Sequence, residues 1–97
     1  MTRAEALAKL RTLKPWLKDS YGVKRLGLFG SHARDEARAD SDVDLLVEFE
    51  PDRVPGLAFF GMSAEISERL GAPVDLGTFS SLKPHYARHV LQDLLDV

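Results

Sequence analysis

Asp42 and Asp44 flank a single valine and open the apolar run Leu45-Leu46-Val47. Residues two apart on a strand point to the same face, so the two carboxylates crowd one surface. Like charges that close raise each other's pKa and repel unless a cation lies between them. Turn chemistry accounts for Asp40-Ser41-Asp42. It does not account for Asp44, which is already inside the apolar segment, where an unpaired carboxylate is costly or protonates. Asp75 repeats the anomaly between Val74 and Leu76, although an edge strand with one solvated face accounts for it equally well. Three acids at sheet positions on adjacent strands are a donor set for hard divalent cations such as Mg²⁺. Two such ions about 3.5–4 Å apart serve phosphoryl or nucleotidyl transfer.

Gly30-Ser31 ends the preceding strand-like run, Val23 to Phe29, which closes on the apolar Leu26-Gly27-Leu28-Phe29. A glycine at a strand end permits a sharp turn and a close approach of ligand to backbone. Free N–H groups of a following helix, with the Ser31 hydroxyl, favour a phosphate at that point. Gly-Ser by itself is equally a plain strand-to-helix turn. Arg34 and Arg38 follow, which a solvated turn accounts for as well as a role in neutralising phosphate charge. His85 and His89 have the i, i+4 spacing of a zinc pair, but no further ligands stand near them.

These residues need elements to position them. Thr2 with Glu5 reads as a capping box, and Ala6, Leu10, Leu13 and Leu17 recur at helical spacing. Pro15 is expected to kink or split that helix, and Gly22 to end it. Val23 to Phe29 reads as a strand, and Ala33 to Arg38 as a short helix or turn. A second strand is expected from Val43 to Phe49, a loop from Pro51 to Gly56 and a helix from Leu57 to Leu70. A third strand is expected from Val74 to Phe79 and a last helix from Pro84 through Leu95. In the Leu57–Leu70 helix, Phe59, Met62, Ile66 and Leu70 suffice as a core face. Leu57, Phe60 and Ala64 form a second apolar row that asks for a cover. The fold class is thus α/β or α+β, a single domain over residues 1–97 with a mixed sheet of about three strands covered by helices.

Bulk composition agrees. A chain of 97 residues with 44% hydrophobic and 29% charged residues is one ordinary globular domain. The formal net charge of −2 argues against direct nucleic-acid binding, which needs a basic face. With no cysteine, disulfides and thiolate-bound zinc are excluded. No stretch approaches the ~20 apolar residues of a membrane span, and the first residues lack the apolar core of a signal peptide. A cytoplasmic location is the expectation.

The run "LFGSHARDEARADSDVDLLVEFEP" closely resembles the minimal nucleotidyltransferase (MNT) family of the DNA polymerase β-like nucleotidyltransferase superfamily. Its pattern is G-S, a polar loop, D-x-D, and a third Asp on a later strand. Gly30, Ser31, Asp42, Asp44 and Asp75 match it, and similarity extends through "YGVKRLGLFGS" and "PVDL" to "LKP" near residue 84. Asp35 departs from the pattern, standing where relatives usually carry glycine.

The resemblance implies a mixed-sheet nucleotidyltransferase fold with Mg²⁺, two ions, on Asp42, Asp44 and Asp75. It also implies ATP with its phosphates near Gly30 and Ser31, and Asp75 doubling as a general base. It further implies a protein adenylyltransferase that transfers AMP to a tyrosine hydroxyl of a HEPN-type helical toxin, acting as its antitoxin, alone or in a homo- or hetero-oligomer. The alternative is a noncatalytic module that neutralises a helical partner by contact.

Overall fold

The capping box forms as expected in the computed structural model, which describes residues Met1–Val97. The Thr2 hydroxyl accepts from Glu5 N–H at 3.1 Å, and Glu5 Oε1 accepts from Thr2 N–H at 3.0 Å. From this start helix α1 runs over Arg3–Tyr21, with Pro15 inside it. The expected split does not occur. Pro15 lies on the exposed face, where the carbonyl it leaves without a partner meets water. Leu10 and Leu17, fully buried on either side of it, hold the helix to the core. Gly22 closes α1 with a left-handed φ of 73° and donates its N–H to Lys18 O.

Strand β1 spans Val23–Phe29. Helix α2 is a single turn, Gly30–Ala33, so it begins on the Gly-Ser step itself and not at Ala33. Strand β2 is Val43–Phe49. A 3₁₀ turn over Gly56–Ala58 leads into α3, Phe59–Leu70. Strand β3 is Val74–Thr78, and α4 is Pro84–Asp93. The last helix stops two residues short of Leu95, because Leu95–Asp96 extends as a short strand, β4.

The sheet therefore has four strands, in the order β3-β2-β1-β4. Strand β1 is antiparallel to β2 and β4, while β2 and β3 are parallel. The alternating pattern of β2 sorts its residues onto two faces. Val43, Leu45 and Val47 join Leu26 and Leu28 of β1 in a core covered by Ala6, Leu10 and Leu17 of α1 and by Met62, Ile66 and Leu70 of α3. Asp44 and Leu46 face the other way, under α4. Phe59, Met62, Ile66 and Leu70 serve as the core face of α3, while Leu57 and Phe60 stay 86% and 79% exposed.

Candidate active site

Cross-strand register brings the sequence-predicted residues together. Phe29 is paired with Asp44 across β1 and β2, and Asp44 with Asp75 across β2 and β3. Because β2 and β3 are parallel, both acids sit near the start of their strands, on neighbours about 4.8 Å apart. Gly30, next after Phe29, completes a row across three strands. Its φ is +75°, and a Cβ there would run into the Asp44 carboxylate. Glycine is thus required twice over, by backbone conformation and by the acid packed against its Cα. The Gly-Ser step and the D-x-D pair, eleven residues apart in the chain, form one piece of structure.

The electrostatics follow from this crowding. Asp44 is half-buried, and its carboxyl is held above the usual carboxylate range. Burial is the largest cause, and the charges of Asp75 and Asp42 add to it. Arg34 works in the opposite direction. Asp42 and Asp75 are exposed. No three His, Cys, Asp or Glu side chains converge closely enough to hold a metal ion between them. The donor chemistry nonetheless fits a hard divalent cation: carboxylate oxygens on one face, one of them half-buried and repelled by the other two. Asp44 and Asp75, with Asp42 at the strand entry, are the groups that would hold one.

Asp44 and Asp75, but not Asp42, line a cavity of about 340 Å³ between the sheet and α4, together with Gly30 and Arg34 among others. Helix α4 contributes Tyr86, His89 and Asp93 to its wall. A larger and more apolar cavity, about 610 Å³, lies at the far ends of β2 and β3. Glu48 is its only titratable lining residue, so the smaller cavity is the one with chemistry in it.

Arg34 reaches the site already engaged. Its Nη1 donates to Asp93 Oδ2 at 2.7 Å and its Nε to Glu36 Oε2 at 3.1 Å. Arg38 does not reach the acids. It lines a separate polar depression with Lys9 and His32, and its backbone N–H donates to Ser41 Oγ at 2.9 Å. Ser31 occupies the first turn of α2 beside Gly30.

Two features escaped sequence reasoning. His32 is only 2% exposed, and its Nδ1–H donates to the Asp42 carbonyl at 3.1 Å, tying α2 to the entry of β2. A lone histidine in a polar loop gives no advance signal of this role. The α4 wall escaped too, since nothing local says which way the C-terminal helix folds back. Asp35 has a structural answer: it takes a left-handed φ of 60°, and its Oδ1 accepts from Arg3 N–H at 2.9 Å. The backbone keeps the conformation a glycine would have there, and the carboxylate is turned to the start of α1.

Comparison with known proteins bears on this geometry. The family model described as nucleotidyltransferase domain matches residues 10–97. Protein adenylyltransferase MntA of Thermococcus cleftensis is 40% identical over 98 residues, covering 100% of this chain and 97% of the relative. A Methanocaldococcus jannaschii protein assigned as a protein adenylyltransferase is 41% identical over 91 residues, covering 91% of this chain and 90% of its own. A solved structure assigned as a minimal nucleotidyltransferase superposes with a TM-score of 0.78 at 35% identity, covering 100% of this chain and 97% of that one. The fold recurs in the complex of tri-AMPylated Shewanella oneidensis HEPN toxin with MNT antitoxin. There the TM-score is 0.68 at 18% identity, over 94% of this chain and 70% of the other.

Proposed function

This chain belongs to the minimal nucleotidyltransferase family and is an enzyme of that type, and we propose that it is a Mg²⁺-dependent protein adenylyltransferase. It transfers AMP from ATP to a tyrosine hydroxyl of a HEPN-type helical toxin and thereby acts as the antitoxin. The observation that carries the reading is the row Gly30, Asp44 and Asp75 in one cleft, with Gly30 required by its contact with Asp44. The names of the most similar relatives support the acceptor class, since they are protein adenylyltransferases. A solved neighbour in complex with a HEPN toxin supports the partner.

Asp42, Asp44 and Asp75 are the residues to hold Mg²⁺, which when bound neutralises phosphate charge and activates oxygen nucleophiles. Gly30 and Ser31 offer backbone and hydroxyl donors to the triphosphate. Arg34 is the cation for it within the cleft. Arg38 serves phosphate only if its loop swings across from the neighbouring depression. Asp75, the most accessible acid of the row, takes the proton of the attacking hydroxyl. The left-handed backbone retained at Asp35 argues for an intact loop and against a module that works by contact alone.

Labelled ATP, Mg²⁺ and a HEPN-type helical protein, sought among the neighbouring genes, are the components of the test. Wild type labels the partner. Asp75→Asn still binds the partner but transfers label at least ~100-fold more slowly, the usual scale for loss of a general base. Undiminished transfer by Asp75→Asn takes that role from Asp75. Neutralisation of the toxin without any transfer replaces the enzyme reading by the contact module.

A further inference from the structure

We propose that Tyr86 of this chain is itself an acceptor, so that the protein adenylylates itself. The inference rests on the adenylyltransferase reading above. An enzyme that modifies protein hydroxyls has a ready acceptor wherever its own fold leaves a free hydroxyl beside the reacting groups. Two of the residues lining the cavity with Asp44 and Asp75 carry a hydroxyl, Ser81 and Tyr86.

These two differ in availability. Ser81 Oγ is occupied, donating to Thr78 O at 3.0 Å in the 3₁₀ turn that precedes α4. Tyr86 is held by its backbone, whose N–H donates to Lys83 O at 3.0 Å, and not by its phenol. Its side chain is 56% exposed. A phenol also gives up its proton far more readily than an aliphatic hydroxyl, so a cleft carboxylate suffices as base. The chain's other tyrosine is no competitor. Tyr21 packs edge-on against Trp16 at 5.6 Å, at the C-terminal end of α1, and lines no part of the cavity.

In the reaction the Tyr86 phenolic oxygen attacks the α-phosphorus of ATP. The Tyr–O–P bond forms as the bond from the α-phosphorus to its bridging oxygen breaks. Pyrophosphate leaves, and the phenolic proton passes to the carboxylate and then to solvent. The adduct leaves a nucleotide tethered in the same cleft that ATP must enter. Self-modification therefore stops at one AMP per chain and withdraws that chain from further transfer.

The test uses the purified chain with ATP and Mg²⁺, read by intact mass and by peptide mapping, beside a parallel reaction containing the helical partner. The expected result is a gain of one AMP on wild type, mapped to Tyr86, and no gain on Asp44→Asn or Tyr86→Phe. Mapping on wild type makes the result independent of how the Tyr86→Phe variant folds. An unchanged mass alongside labelled partner overturns self-modification and leaves the adenylyltransferase reading standing. AMP on any residue other than Tyr86, or label retained by Tyr86→Phe, overturns the assignment. Absence of label from chain and partner alike removes both readings.

Discussion

Asp44 concentrates the tension of the site, and pH exposes it. Its folded-state pKa is raised by burial and by Asp75 and Asp42, so the folded chain keeps a proton that the unfolded chain releases. The ligand-free fold is therefore free of this penalty below the ordinary carboxylate pKa and loses stability as pH rises from there through the raised value. Asp44→Asn removes the penalty. Its Tm in neutral buffer should exceed that of wild type by a few degrees, with the gap closing in acid, as thermal melts across pH would show. The same variant should lose the rise in Tm that ATP gives wild type in the presence of Mg²⁺. An equal or lower Tm at neutral pH would mean the carboxylate is not under strain. Asp35 is a second residue whose backbone sets the outcome. At φ 60° an alanine carries left-handed strain of about 1–2 kcal/mol and loses the bond to Arg3 N–H. Glycine loses only the bond. Asp35→Ala should therefore melt below Asp35→Gly, and the reverse order would show that the entropy glycine adds to the unfolded chain outweighs the backbone strain.

Helix α4 is the element that turns a face of the sheet into a cleft, and one of its anchors is the contact between Arg34 and Asp93. Both groups are partly exposed, 44% and 25% at the side chain, so the pair adds little to stability. Its cost to function is larger under the proposed role, because a triphosphate must compete with Asp93 for the guanidinium. Asp93→Asn should leave Tm within a few degrees of wild type while lowering the KM for ATP severalfold. A raised KM would mean that Asp93 holds Arg34 in its binding position. This element also marks the limit of what the sequence conveys. β1 and β2 were legible to the residue, because Gly22 and Gly30 bound the first and the polar turn before Val43 and Pro51 after Phe49 bound the second. Asp44 was legible because a purely structural account misplaces it, whereas Asp75, exposed on the edge strand β3, was legible only through its match to the family pattern. The fourth strand was not, since Leu95–Asp96 is two residues long and is defined by its partner Gly27-Leu28 and not by its own pattern. Nor was the fold-back of α4, which depends on Leu94 filling the space above Gly27, where a Cβ would collide with it. The left-handed turn at Asp35 needed the Arg3 contact, a partner 32 residues away in sequence.

At the scale of the whole molecule the question is what a small domain does with apolar surface it does not bury. The core needs only Met62, Ile66 and Leu70 from α3, with Phe59 packed against it. Val54, Leu57 and Phe60 remain 70%, 86% and 79% exposed, and Val54 and Phe60 line the larger cavity. That face lies at the far ends of β2 and β3 from Asp44 and Asp75, so a partner seated there is held without blocking the cleft. Under the proposed function it is the surface to grip a helical toxin while a hydroxyl is presented to the acids. Phe60 makes one aromatic contact, edge-on to Phe59 at 6.3 Å, and truncating so exposed a side chain changes stability by only about 0.5 kcal/mol or so. Phe60→Ser should thus melt within about 4 °C of wild type and keep its response to ATP with Mg²⁺, yet lose the partner in a pull-down or by calorimetry. Ile66→Ala, fully buried one helical face away, should instead cost about 2–5 kcal/mol and melt far lower, fixing the scale of a true core loss. If Phe60→Ser falls as far as Ile66→Ala, α3 is core on both rows and the partner must be gripped elsewhere.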